Sequence, residues 1–153
     1  MSDVFDRIRL SPRQARTVAD RRFDDAQYLR RSKKNKYANG AMYLGGLVLD
    51  ILLKAKLLEE HPWLQNPPGD LARRPASERR LHALCYREHD LIGILDRLSR
   101  RTLDRLDSAG LLKTLKKLCG TWTIHVRYSP RTSEISEAAD FLNRVREVRE
   151  WLK

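Results

Sequence analysis

Apolar residues along this chain recur at three- and four-residue intervals, and no stretch alternates convincingly with the two-residue period of a strand. The pattern predicts helices throughout. Ser11-Pro12, a capping residue followed by proline at the first helical position, opens a helix that runs to about Arg31, with Ala15, Val18, Phe23 and Leu29 spaced among charges. A second helix is predicted from about Lys36 to Glu60. Leu44, Val48, Ile51, Ala55 and Leu58 form one seam of it, while Met42, Leu49, Leu53 and Leu57 cover the opposite side. A helix apolar almost all round belongs in the middle of a bundle.

The segment HPWLQNPPGDLARRP then brings four prolines and reads as a long loop. Residues 76–100 resume as a helix with Leu84, Leu91, Ile92, Leu95 and Leu98 on one face. Another is predicted from about Leu103, where Leu111, Leu115, Leu118, Cys119 and Trp122 align and Lys113, Lys116 and Lys117 point away. After SPRT comes a last helix, with Ser133 as its expected N-cap and Glu134 and Glu137 in the first turn. Ile135, Ala138, Leu142, Val145 and Leu152 would face the core. The expectation is a single all-α domain over residues 1–153, an antiparallel bundle of about five helices with short connections and one longer loop.

Composition narrows the class. The 153 residues include 41% hydrophobic side chains, enough for a packed core. The opening MSDVFDRIRL places charges where a secretory signal needs an apolar stretch. The run AMYLGGLVL meets Asp50 after nine residues, well short of the ~18 expected of a membrane span. Cys85 and Cys119 make no disulfide framework, so the expected setting is a reducing cytoplasm, away from membranes.

The chain is strongly basic, with 31 Lys plus Arg against 20 Asp plus Glu and a net charge of +11. The excess is uneven. Residues 1–40 carry a surplus of 6 and residues 73–101 and 102–131 a surplus of 4 each, while residues 41–72 and 132–153 are slightly acidic. Arginine-rich surface binds phosphate by long-range attraction and forked hydrogen bonds; equally, it keeps a helical protein soluble.

Several polar residues stand out against this pattern. Tyr43, Asp50 and Lys54 form one polar stripe on the central helix, within about 40° at 100° per residue. Asp50 and Lys54 are an i,i+4 acid–base pair that either fixes helix register or lines a cleft. Glu88 interrupts the stripe of Leu84, Ile92 and Leu95, and is expected either to meet an arginine from a neighbouring helix or to be an acid of raised pKa. His82, Cys85 and His89 share a helix face, but two or three ligands without a completing pair make a metal site the lesser expectation. Gly40, Gly45 and Gly46 inside a helix predict close approach by a neighbour. There is no P-loop, dinucleotide-binding turn or nucleophile elbow. In TWTIHVRYSPR, Trp122, His125, Arg127, Tyr128 and Arg131 combine aromatic surface, an imidazole and two guanidinium groups. These suit a base or phosphate, or else a buried Trp and Tyr flanked by solvated arginines.

Three segments taken in order, YANGAMYLGGLVLDILLKAKLLEEHPWL, YREHDLIGILDRL and WTIHVRY with the closing REWL, resemble HEPN domains (higher eukaryotes and prokaryotes nucleotide-binding). YANGAMYLGGLVLDILLKAKLLEEHPWL resembles the family's second helix through Ala41, Tyr43, Gly45, Gly46, Asp50, Leu53, Lys54 and Ala55. YREHDLIGILDRL resembles its His-Asp-Leu helix through His89, Asp90, Leu91 and Leu95. WTIHVRY and the closing REWL resemble its Trp-x4-Arg-Tyr ending through Trp122, Arg127, Tyr128 and Trp151. The resemblance spans residues 12–153. It implies a four- or five-helix antiparallel bundle, commonly a homodimer with a cleft at its interface.

Many members are metal-independent ribonucleases of toxin–antitoxin, defence or RNA-processing systems, with a His four to six residues beyond an Arg. Here no His follows Arg127, and none of His61, His82, His89 and His125 has an Arg at that spacing before it. The expectation is therefore a non-catalytic HEPN-like domain, needing no metal or cofactor, that dimerises and binds a nucleotide or RNA. Asp50 and Lys54 would line its cleft, with His125, Arg127, Tyr128 and Arg131 contacting base or phosphate. The rivals are a divergent ribonuclease using His125 or His89, and a protein-interaction partner of a nucleotidyltransferase or antitoxin.

Overall fold

The computed structural model describes residues 10–153, so all but the last residue of the charged opening lies outside it. The described residues form seven α-helices and no strand: α1 Pro12–Arg31, α2 Ala38–Glu60, α3 Ala76–Tyr86, α4 Leu91–Leu95, α5 Arg100–Ser108, α6 Leu112–Thr121 and α7 Ile135–Leu152. The all-α bundle expected from periodicity is what the chain forms. No helix among the described residues is long and apolar enough to cross a membrane.

α1 begins as its sequence dictates, with Pro12 in the first turn and the Ser11 hydroxyl accepting the Gln14 N–H at 3.2 Å. It pairs antiparallel with α2. Arg16 binds Glu59 at one end, and Leu29 reaches Gly40 at the other. α2 is the centre of the molecule, with Val48, Leu49, Leu52, Leu53, Leu57 and Leu58 all buried. Full burial of one such side chain contributes about 1.5–3 kcal/mol, so this helix anchors the core.

α7 lies along α2 in the same direction. The Ile135 N–H bonds the Asn35 carboxamide at 2.9 Å near the start of both helices, and Lys56 sits over the Trp151 ring near their ends. The helical glycines permit this closeness. A Cβ on Gly45 would stand 2.6 Å from Leu142, and one on Gly46 would stand 1.9 Å from the Trp122 indole.

The predicted helix over 76–100 is three pieces. Beyond Tyr86, the N–H groups of Arg87 and Glu88 both close onto the Ala83 carbonyl, and the chain turns away from the helix axis. Asp90 then accepts the Gly93 N–H at 2.8 Å and starts α4 in a new register. That restart leaves Ile92 at 41% exposure, although Leu84, Leu91, Leu95 and Leu98 keep their expected burial. Ser99 caps α5 while donating its own N–H and hydroxyl to Glu60. The helix predicted from Leu103 is likewise divided, by Gly110 at φ +72. Only glycine adopts that conformation without a steric penalty.

At α7 the N-cap is Glu134, one residue later than the expected Ser133. Glu134 and Glu137 form a reciprocal capping box, while the Ser133 N–H is donated to Asn39. Val18, one of the apolar residues spaced among the charges of α1, is 39% exposed. The proline-rich connection contains two short 3-10 turns, Pro62–Gln65 and Leu71–Arg73.

Candidate functional site

The polar stripe of α2 serves two separate places. At its outer end the Tyr43 ring stacks on Trp122, centroids 6.5 Å apart. The Arg127 guanidinium lies 5.1 Å from the Tyr43 ring and 4.4 Å from the Tyr128 ring, and donates to both tyrosine hydroxyls. The backbone reason is the 3-10 turn Ile124–Tyr128, opened by the Thr123 hydroxyl, which swings these side chains back over α2. Desolvation works against the Arg127 charge, but the Tyr128 and Tyr43 contacts outweigh it and hold its pKa above the ordinary arginine value. Arg127 and Tyr128 are exposed, so a cation gripped by two aromatic rings faces solvent.

Beside this platform lies a groove of about 670 Å³ between α6, the 122–129 segment and α7. Met42, Trp122 and Phe141 contribute apolar surface; His125, Lys117 and Arg144 contribute nitrogen donors, and Asp140 contributes a carboxylate. The Trp122 indole is buried against Gly46, its N–H without a hydrogen-bond partner among the described residues. Arg131 is exposed at the end of the bundle, where its carbonyl accepts from Asn39 at 2.9 Å.

Asp50 lies about two helical turns farther along α2 from Tyr43 and Lys54 about three, roughly 10 and 16 Å at 1.5 Å per residue. Both are buried, at 1% and 7% exposure, and paired at 2.9 Å. Lys54 also donates to the Glu88 carbonyl at 2.8 Å, and His89 Nδ1 meets the same Asp50 oxygen at 2.8 Å. The pair thereby clamps the elbow between α3 and α4 onto α2. The other Asp50 oxygen is buried and has no hydrogen-bond partner among the described residues.

Arg80, from the same α3 and not from a neighbouring helix, answers both Glu88 at 2.5 Å and Asp90 at 2.9 Å. His89 leaves the helix face it was expected to share with His82 and Cys85. His82 instead stacks on Tyr86, centroids 4.8 Å apart, and burial pushes the Cys85 thiol up to about 12. No group of three or more His, Cys, Asp or Glu suited to a metal is found among the described residues.

The candidates therefore fall into three places: His125 in the groove, Arg127 and Tyr128 beside it with Arg131 at the bundle end, and Asp50 with Lys54 inside. The residue that sequence reading left unassigned is His89 as Asp50's partner. Its signal was an Asp-Lys pair in an apolar helix, which demanded a polar contact from elsewhere. No protein-family model, curated protein or solved structure matches this chain.

Proposed function

We propose that this chain is a HEPN-like helical domain that binds a nucleotide or RNA, acting by binding and not by cleavage. The observation that carries the reading is the exposed Arg127 guanidinium held between Tyr43 and Tyr128 at the side of the groove. A guanidinium so oriented offers its remaining N–H groups to phosphate, and the tyrosine rings offer a face to a base. The apolar floor with His125, Lys117 and Arg144 suits an aromatic heterocycle beside a phosphate. The resemblance to HEPN domains adds the expectation of a homodimer with this region at or near its cleft, and the missing Arg–His spacing argues against hydrolysis.

Anisotropy of labelled RNA and a labelled mononucleotide at low salt tests the reading. Arg127→Ala removes a charged hydrogen-bond donor worth about 1.5–3 kcal/mol, so affinity is expected to fall about tenfold or more. Absence of binding by the unaltered chain refutes the proposal. Light scattering on the same sample checks the dimer.

A second reading has its own support. When His89 Nδ1 donates to Asp50, Nε2 is left as an acceptor on an imidazole whose side chain is 43% exposed, the arrangement of an oriented general base. Arg80, however, is already engaged by two carboxylates, and among the described residues no cation contacts the imidazole. RNA degradation by the purified chain that vanishes in His89→Ala would establish this alternative over the first.

A further inference from the structure

The ion pairs of this molecule are distributed unequally between the two ends of the bundle. At the end where α2 and α7 finish, Glu59 takes Arg16 and Lys56, and Asp20 takes Arg149 and Lys153. The acids there hold cations in place, and desolvation of Asp20 and Glu59 is outweighed by those cations, leaving both carboxyl pKa values lowered. At the opposite end, where α1 finishes and α2 and α7 begin, the pattern reverses. Arg31, Lys33, Lys34 and Lys36 are exposed and make no ion pair among the described residues; neither do Arg127 and Arg131. Of the carboxylates close to these cations in sequence, Asp25 is paired with Arg22, and Glu134 and Glu137 are committed to the α7 capping box.

These cations form one strip because the backbone ties their segments together. Asn35 accepts the Ile135 N–H, and Asn39 donates to the Arg131 carbonyl and accepts the Ser133 N–H. One helical turn beyond Asn39, Tyr43 holds Arg127. From Asn35 to Tyr43 the chain rises about 13 Å, at roughly 2.0 Å per residue through the 3-10 turn Asn35–Tyr37 and 1.5 Å along α2, so the strip is longer than one phosphate. Aromatic rings alternate with the charges: Lys36 lies 5.0 Å over the half-buried Tyr37 ring, Tyr128 is 66% exposed, and Tyr28 is 76% exposed.

Lys33 adds an independent sign. It sits at φ +57, the left-handed position after a helix where glycine is the unstrained choice. A lysine there keeps a charge at a steric penalty, as backbone strain does where a side chain is needed.

Resting on the binding reading above, we infer that this end of the bundle is a track for single-stranded nucleic acid, along which several consecutive phosphates run from the α1–α2 junction to Arg127. Unpaired cations in a row with exposed rings are what an unstacked strand needs: charges for its backbone and faces for its bases. A mononucleotide fills only the Arg127 end.

The test uses the full chain, labelled single-stranded RNA and DNA of equal length, and a mononucleotide, titrated over a salt series. In Lys33→Gln/Lys34→Gln/Lys36→Gln, loss of three phosphate contacts is expected to flatten the log–log salt dependence by about 2, at about 0.7 per contact. Oligonucleotide affinity at low salt falls, mononucleotide affinity does not, and the preferred strand identifies the backbone read. Lys33→Gly, which removes one charge and the strained conformation together, flattens the slope by about 0.7 in a protein that stays folded.

Arg100→Gln/Arg101→Gln, at the opposite end beside the Glu60-bound Ser99, changes nothing. A triple variant indistinguishable from the unaltered chain overturns the track, and so does binding to anionic lipid vesicles but to no oligonucleotide. If that happens while Arg127→Ala abolishes mononucleotide binding, the track fails and the binding reading stands. If oligonucleotides bind through the lysines and mononucleotides do not bind, the groove reading fails and the track stands.

Discussion

Breaking the buried pair on α2 measures what the elbow between α3 and α4 contributes. Asp50→Asn leaves the Lys54 ammonium 7% exposed, with the Glu88 carbonyl as its remaining strong partner. Removing one member of a buried pair typically costs 3–5 kcal/mol. The retained carbonyl places this variant near the lower end, about 3 kcal/mol. Lys54→Met is expected to cost a similar ~3 kcal/mol, since it strands a carboxylate 1% exposed that retains only His89. The double variant removes both charges together. A methionine against an asparagine that still meets His89 leaves no orphaned ion, so its cost is about 1 kcal/mol, less than either single change.

The coupling is therefore larger than the ~0.5 kcal/mol tolerance of independent sites. Urea unfolding followed by far-ultraviolet circular dichroism gives each value from the midpoint at constant slope. For a domain of this size the single variants correspond to about 6–12 °C in melting temperature. Single variants within ~0.5 kcal/mol of the unaltered protein, or a double variant as costly as their sum, would refute the account of Asp50 and Lys54 as a clamp.

Other expectations follow from single contacts. Gly46→Ala gains about 1 kcal/mol of helix propensity, but its Cβ meets the Trp122 indole at 1.9 Å; a net loss of about 1–3 kcal/mol and an altered near-ultraviolet aromatic signal are expected. Unchanged spectra and increased stability would contradict it. Lys33→Gly relieves a φ of +57 and should raise stability by up to about 1 kcal/mol in thermal melts, where a loss would show that the lysine makes a contact worth more than the strain. Burial pushes the thiols of Cys85 and Cys119 up to about 12, so neither reacts with a thiol reagent at neutral pH until the chain unfolds. Rapid labelling of the folded protein would disprove this. The neighbouring cations outweigh burial and hold the Asp20 and Glu59 carboxyls below their ordinary values of 3.8 and 4.5. Their stabilisation is present above those unfolded values and is lost as pH falls through the folded ones, so acid titration of Asp20→Asn should show a shallower loss of stability below about pH 4 than the unaltered chain.

The helices were legible because their seams repeat over several turns, and α2 was legible as the centre because apolar residues surround it. The interruptions were not. A continuous stripe from Leu84 to Leu98 reads as one helix, but it breaks where the Arg87 and Glu88 N–H groups close onto the Ala83 carbonyl and the Asp90 side chain takes the Gly93 N–H, and Ser99 then caps α5. Such caps resemble ordinary polar positions on a helix face. Ser133 and Glu134 differ as caps by one residue because Asn39, distant in sequence, takes the Ser133 N–H. The arginine–tyrosine contact is between sequence neighbours at Arg127 and Tyr128, whereas its third member, Tyr43, is supplied by the fold. The positive surplus of residues 1–40 was visible in the sequence, but not the lack of acidic partners for Arg31, Lys33, Lys34 and Lys36, which depends on where the carboxylates settle.

The separation along α2 has a mechanical consequence for any binding role. Tyr43 and Asp50 lie on one stripe, yet one faces an exposed guanidinium and the other, itself buried, pins the elbow between α3 and α4. A substitution at Arg127 removes surface contacts without touching the buried charges, so it should weaken ligand binding at constant melting temperature. A substitution at Asp50 loosens the α3–α4 elbow while Tyr43, Trp122 and Arg127 keep their stacking two turns away. It should lower stability at constant affinity. Affinity and stability measured on both variants thus form a crossed pair. Parallel loss in both would mean that the elbow and the platform respond as one unit, and that the polar stripe transmits strain between them. Independent loss is the outcome that the geometry of α2 requires.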